Sequence, residues 1–146
     1  MIDNIGGILT ASWCIASRAK SVAVTPSGIL VNLPALHPWN QFPAVRGNIA
    51  IEVTEDIVNG SPIYNVQGTI RCPRKRYATT PEMVALRGQR IIVQYTTANG
   101  DTLVVGDADN PLTVTHRILN PSGASGYSGV EFRITGTLTH PELPLL

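Results

Sequence analysis

Apolar residues recur at every second position over four stretches of this chain, and turn-forming pairs separate them. Ile49, Ile51 and Val53 alternate with Ala50, Glu52 and Thr54. Tyr64, Val66, Gly68, Ile70 and Cys72 share one parity, as do Leu112, Val114, His116 and Ile118, and then Val130, Phe132, Ile134, Gly136 and Leu138. A period of two is that of a β-strand, whose successive side chains point to opposite faces. Asn59-Gly60-Ser61-Pro62 divides the first two stretches, so residues 48–71 read as a β-hairpin. Asn99-Gly100 marks a second hairpin between residues 91–97 and 102–106. This pattern predicts a mainly β fold, a sandwich or partial barrel of antiparallel strands.

The rest of the chain fits around that scaffold as one domain over residues 1–146. Strands are expected near residues 8–16 and 21–33, with Pro26-Ser27-Gly28 bending or dividing the second. Residues 33–47 hold Pro34, Pro38 and Pro43 and form an extended connector, in which Trp39 and Phe42 are placed to pin it to the body or to a neighbour. One short α-helix is expected over residues 79–88. Thr79 and Glu82 fit a capping box, Pro81 suits a first turn, and Gly88 suits a helix end. Residues 120–129, rich in glycine and serine and containing Tyr127, read as a mobile loop or one ordered by a partner. The prolines of residues 139–146 bar a central strand, and Leu143, Leu145 and Leu146 need a surface to cover.

Composition narrows the functional classes. Charged residues make up 14% of the 146, against about 25% in typical domains. A chain so poor in charge has less polar surface of its own, which favours burial against other subunits. The formal net charge of +1 supplies no global field for nucleic acid or an anionic membrane. Residues 8–16 are too short and polar to span a bilayer. Asp3 stands where a secretory signal carries positive charge, and Gly6-Gly7 interrupts the apolar run, so retention in a cell or release within a larger particle is expected. Cys14 and Cys72 are too few for a disulfide framework and read as reduced thiols.

No catalytic template emerges. His37, His116 and His140 are scattered, with His116 expected to be a partly buried sheet residue, and no spacing of His, Cys or carboxylates matches a metal site. Asp107, Asp109 and Asn110 have the oxygens for calcium but fit turn chemistry ahead of Pro111 better. Glu52, Glu55 and Asp56 read as solvent-facing hairpin residues. No cofactor is expected. Arg71, Arg74, Lys75 and Arg76 form the one concentration of charge. They read either as a phosphate-contacting patch or, in the favoured reading, as a solvated loop or a partner for an acidic loop of an adjacent subunit.

The order of these features resembles the small tail and neck proteins of tailed bacteriophages and prophages. The resemblance rests on Ile5-Gly6-Gly7-Ile8, on Ile70-Arg71-Cys72-Pro73 closing the central hairpin, and on the short helix that follows. It continues through Thr97-Ala98-Asn99-Gly100-Asp101-Thr102-Leu103-Val104-Val105-Gly106 and Asn110-Pro111-Leu112 to a terminal strand, although the proline-rich connector is longer than that family leads one to expect. The resemblance implies a non-enzymatic virion subunit, assembled in the host cytoplasm, that forms a homo-oligomeric ring and meets other virion proteins. Trp39, Phe42, Tyr127, Leu143, Leu145 and Leu146 are then the candidate interface residues. Two alternatives stand beside it: a nucleic-acid-binding module using residues 71–76, and a carbohydrate-binding β-sandwich in which Trp13, Trp39 or Tyr127 stacks on sugar.

Overall fold

The computed structural model describes residues 7–35, 38–42, 44, 48–72, 86, 88–120 and 129–146. The chain is mainly β and antiparallel. Its strands are β1 (Ile8–Ile15), β2 (Ser21–Thr25), β3 (Gly28–Asn32), β4 (Asn40–Gln41), β5 (Ile49–Val58), β6 (Ser61–Cys72), β7 (Arg90–Thr97), β8 (Thr102–Val105), β9 (Leu112–Leu119), β10 (Gly129–Leu138) and β11 (Leu143–Pro144). A 3-10 turn, Ala16–Arg18, follows β1. The helix expected over residues 79–88 lies outside the described residues, except that Leu86 is buried and Gly88 has φ of 72°.

The hydrogen-bonded strands fold into two layers. One is β9-β10-β6-β5, with Glu131 of β10 opposite both Arg71 of β6 and Arg117 of β9. The other is built on β7, which pairs with β1 on one side and with β8 on the other, while β4 extends it beyond β1 and β11 beyond β8. The layers join where Arg90 and Ile91 of β7 meet Thr113 and Leu112 of β9. No closed barrel forms among the described residues.

Alternation explains the packing between the layers. Val66, Ile70, Val130, Phe132, Ile134 and Leu138 point inward from one sheet; Trp13, Ile91, Val93 and Tyr95 point inward from the other. Phe42 fills the space between them, fully buried, with its ring centroid 5.7 Å from that of Phe132. Burying an aromatic side chain of this size supplies about 1.5–3 kcal/mol of hydrophobic stabilisation, which helps to hold the connector against the body.

β7 reads Ile91-Ile92-Val93, a continuous apolar run rather than an alternating one, and all three residues are fully buried. The cause is a third layer. The β2–β3 hairpin is a separate two-stranded sheet, and with the C-terminal segment it covers the outer face of β7 and β8. Ile29, Ile92, Val104 and Cys14 form that second cluster, closed by Trp39, Leu143 and Leu145. A strand buried on both faces needs apolar side chains at both parities.

Turn chemistry delimits the β5–β6 hairpin. Asn59 and Gly60 both have positive φ, 52° and 80°, which a tight hairpin turn requires and which these two residue types tolerate best. Beyond Leu138, which pairs with Tyr64, β10 no longer accompanies β6. The hairpin therefore runs on past its sheet, and residues 54–62 are all exposed.

Candidate interaction site

The outer face of the β9-β10-β6 sheet carries a buried carboxylate ringed by arginines. Parity places Glu131 outward, because Val130 and Phe132 on either side face the core. Register sets Arg71 and Arg117 directly across from it on the two neighbouring strands, and Arg133 follows two residues along β10 on the same face. Arg117 Nε and Arg133 Nε each donate to Glu131 Oε1 at 3.1 Å, and Arg71 Nε donates to Oε2 at 3.2 Å. The Glu131 side chain is 2% exposed, while those of Arg71, Arg117 and Arg133 are 46%, 55% and 56% exposed. The arginine stems roof the carboxylate and keep their charged ends at the surface.

Burial by itself raises the Glu131 pKa. The hydrogen bonds from Arg117, Arg133 and Arg71, with the charge of Arg117, outweigh that effect and hold it below the usual glutamate value. Among the described residues, one carboxylate stands among three guanidiniums. Glu131 thus works as an anchor: it fixes three otherwise flexible side chains into one platform and reduces the ordering entropy a ligand would have to supply. Among the described residues, Thr69, Thr115 and Thr135 are the neighbouring side chains on this outer face.

A second polar cluster ties the C-terminal segment to the β8–β9 turn. Asp107, 5% exposed, accepts at Oδ1 from the backbone N–H groups of Asp109 and Asn110, at 2.8 and 2.7 Å. Its Oδ2 lies 2.6 Å from Nε2 of His140, whose Nδ1 is 2.8 Å from the carbonyl oxygen of Pro141. Burial raises the Asp107 pKa, but the bonds from His140, Asn110 and Asp109 and the His140 charge prevail and lower it. An Asp–His pair is part of a nucleophilic triad only when the other imidazole nitrogen faces a nucleophile. Here that nitrogen faces a backbone carbonyl, so the pair fastens the chain. Asp107 takes the turn role expected of it, and no group of metal-ligating side chains occurs among the described residues.

The remaining sequence candidates are dispersed. Phe42 lies in the chain's own core, so the proposed interface residue has no surface to offer. Trp13 is 2% exposed and cannot stack on a sugar, which corrects that assignment; the indole sits between the layers because β1 turns this parity inward. Trp39 is half-buried against the second cluster, with Leu143 and Leu145. Leu146 is 58% exposed, although its N–H donates to the carbonyl oxygen of Ile29. The C-terminal segment is thus docked on this chain, through Leu143 opposite Val104 and the bridge from Leu145 to Ile29. Arg71 stands in the platform; Arg74, Lys75, Arg76, Tyr127 and His37 lie outside the described residues.

His116 is exposed rather than partly buried, and Ile118 is 49% exposed. The reason is that β7 pairs with β9 only at Leu112 and Thr113, so the inward parity of β9 beyond Val114 is left open at the edge. The His116 ring leans on Phe132, 6.0 Å between centroids. Glu131, Arg117 and Arg133 were missed as a group, and so was the pairing of Asp107 with His140. The signal for the platform was present: Glu131 and Arg133 interrupt the apolar parity, and closing the hairpin at Leu119 and Gly129 brings Arg117 across from Glu131.

Cys14 and Cys72 are free thiols in different clusters, and burial pushes each up to about 12, so neither is a thiolate nucleophile near neutrality. An open cleft of about 490 Å³ lies where the sandwich gapes between Ile8, Tyr95 and Leu103 on one side and Ile49 and Ile51 on the other. Thr97, Asn99 and the carboxylate-bearing Glu142 also line it.

Fold and site together define a mainly β antiparallel protein with a cationic outer sheet face and a projecting hairpin. Comparison with protein-family models, with curated proteins and with solved structures found no match. No helix among the described residues is long and apolar enough to cross a membrane.

Proposed function

We propose that this chain is a non-enzymatic structural subunit of a bacteriophage virion, a tail or neck protein that assembles with its own copies into a ring in the host cytoplasm. The observation that carries the assembly reading is the projecting end of the β5–β6 hairpin. Ile57 and Val58 there are 65% and 45% exposed, on a strand whose outer edge has no hydrogen-bonding strand among the described residues. Apolar side chains at an unpaired edge are a liability for a monomer and a means of attachment for a subunit. Leu30 and Val24 of the β2–β3 hairpin are also exposed, at 49% and 44%. The virion and the tail or neck position rest on the sequence resemblance.

The experiment is the molar mass of the purified protein by light scattering across a concentration series. A discrete multiple of the chain mass is expected. The mass of one chain at every concentration overturns self-assembly into a ring.

The arginine platform favours a second reading, contact with nucleic acid phosphates. It predicts retention of duplex DNA at low salt that falls steeply as salt rises. A protein that retains no DNA at low salt excludes it.

A further inference from the structure

The β5–β6 hairpin and the arginine platform have opposite charge and lie at opposite ends of one sheet. β5 carries Glu52, Glu55 and Asp56, all exposed, and no lysine or arginine occurs between Arg46 and Arg71. The platform carries Arg71, Arg117 and Arg133 around the carboxylate of Glu131. Asn48 adjoins Arg71 through a backbone hydrogen bond, and the strand from Asn48 to Asp56 runs about 26 Å at the usual rise per residue. That is about three screening lengths at physiological salt. Within one chain, therefore, Glu55 and Asp56 at the hairpin end do not reach the platform.

We propose that the two surfaces meet between copies: the hairpin end of one subunit, Glu55 and Asp56 with Ile57 and Val58, docks on the Arg71, Arg117 and Arg133 platform of the next. This inference rests on the ring-subunit reading and names its contact. The contact joins two different surfaces, so it is heterologous, and repetition of such a contact generates a ring when the rotation closes. A second copy fits the platform better than nucleic acid does. The chain as a whole carries a net charge of only +1, and the complementary acidic, apolar element is on the same molecule.

The test compares the wild type, E55K/D56K, R117E and R133E by light scattering and sedimentation, with thermal melting to establish that each folds. E55K/D56K changes only exposed residues of the hairpin end, so it reads assembly even if the platform variants fail to melt cooperatively. The wild type is expected to form an oligomer that high salt weakens. Each charge reversal is expected to raise the apparent dissociation constant on the order of 100-fold, as for close charge pairs across interfaces. An equimolar mixture of E55K/D56K with the double variant R117E/R133E is expected to recover the oligomer, because Lys tips then face platforms with three carboxylates against one arginine and acidic tips face the arginine platforms.

Variants that assemble like the wild type overturn this contact and leave the ring reading intact. Weakened variants whose mixture does not recover overturn the charge pairing. A wild type that stays monomeric at every concentration overturns the ring reading, and this contact with it. Duplex DNA retention that R117E abolishes, with oligomer mass unchanged, assigns the platform to phosphate instead.

Discussion

Asp107 and His140 are 33 residues apart in sequence and 2.6 Å apart in the fold, joining the β8–β9 turn to the segment that leads into β11. The bond sits at the point where the chain leaves β10 for its final docking against β8. Since Asp107 also accepts two backbone N–H groups, loss of its carboxylate strands several donors at once.

Replacing Asp107 should therefore be costly. Asp107→Ala is expected to destabilise the fold by about 2–3 kcal/mol and Asp107→Asn by less, because the amide oxygen still accepts from the turn. Denaturant melts at constant slope check this. Equal losses for the two variants would show that the turn bonds contribute little.

Acid should weaken the protein through the same groups. Asp107 and Glu131 both have lowered folded pKa values, so each binds protons more readily in the unfolded chain. Their stabilising contributions are complete above the unfolded values, about 3.9 and 4.3, and are lost as pH falls through the lower folded values. The melting temperature should drop below about pH 4, and Glu131→Gln should flatten part of that drop.

At pH 7 Glu131→Gln should cost about 1–2 kcal/mol, less than a fully buried ion pair, because its three arginine partners are half exposed to water. Thermal melts at neutral pH read this. The same substitution should loosen the platform, so assembly should become weaker even at temperatures where the fold is intact.

Phe42→Ala removes a fully buried ring that packs on Phe132 and is expected to cost about 3–5 kcal/mol. The loss should appear as a cooperative shift in global unfolding. A small effect would mean that the segment around β4 is not part of the cooperative core.

A Cβ at Gly28 would lie 2.5 Å from the Pro144 carbonyl oxygen and 2.8 Å from Leu146 Cγ. Gly28→Ala should therefore displace the C-terminal segment and cost about 1–3 kcal/mol. Deleting residues 143–146 uncovers Ile29 and Ile92 and should destabilise the third layer. The two changes act on one contact, so Gly28→Ala should cost markedly less in the truncated chain. Additive losses, measured by a double-mutant cycle, would contradict this coupling.

Strand spans were legible because alternation and turn chemistry are local. Residues 48–71 pair as β5 and β6 around Asn59-Gly60, the hairpin at Asn99-Gly100 forms as β7 and β8, and Pro26-Ser27 divides β2 from β3. Alternation also oriented most of β6 and β10 toward the core. It misjudged His116 and Ile118, because parity says which residues share a face and not whether another sheet covers that face.

By itself, then, the sequence determined the strands, their turns and the two parities of each, since these depend on residues a few positions apart. The tertiary structure alone decided which parities are covered, and by what. It buried the connector's Phe42, laid the leucines of the C-terminal segment on β3 and β8, joined His140 to Asp107, and set Arg71 beside Arg117 and Arg133 around Glu131. Each of these relationships spans a long stretch of chain or a change of layer. Its energy comes from burial and charge pairing, which arise only once the sheets have assembled.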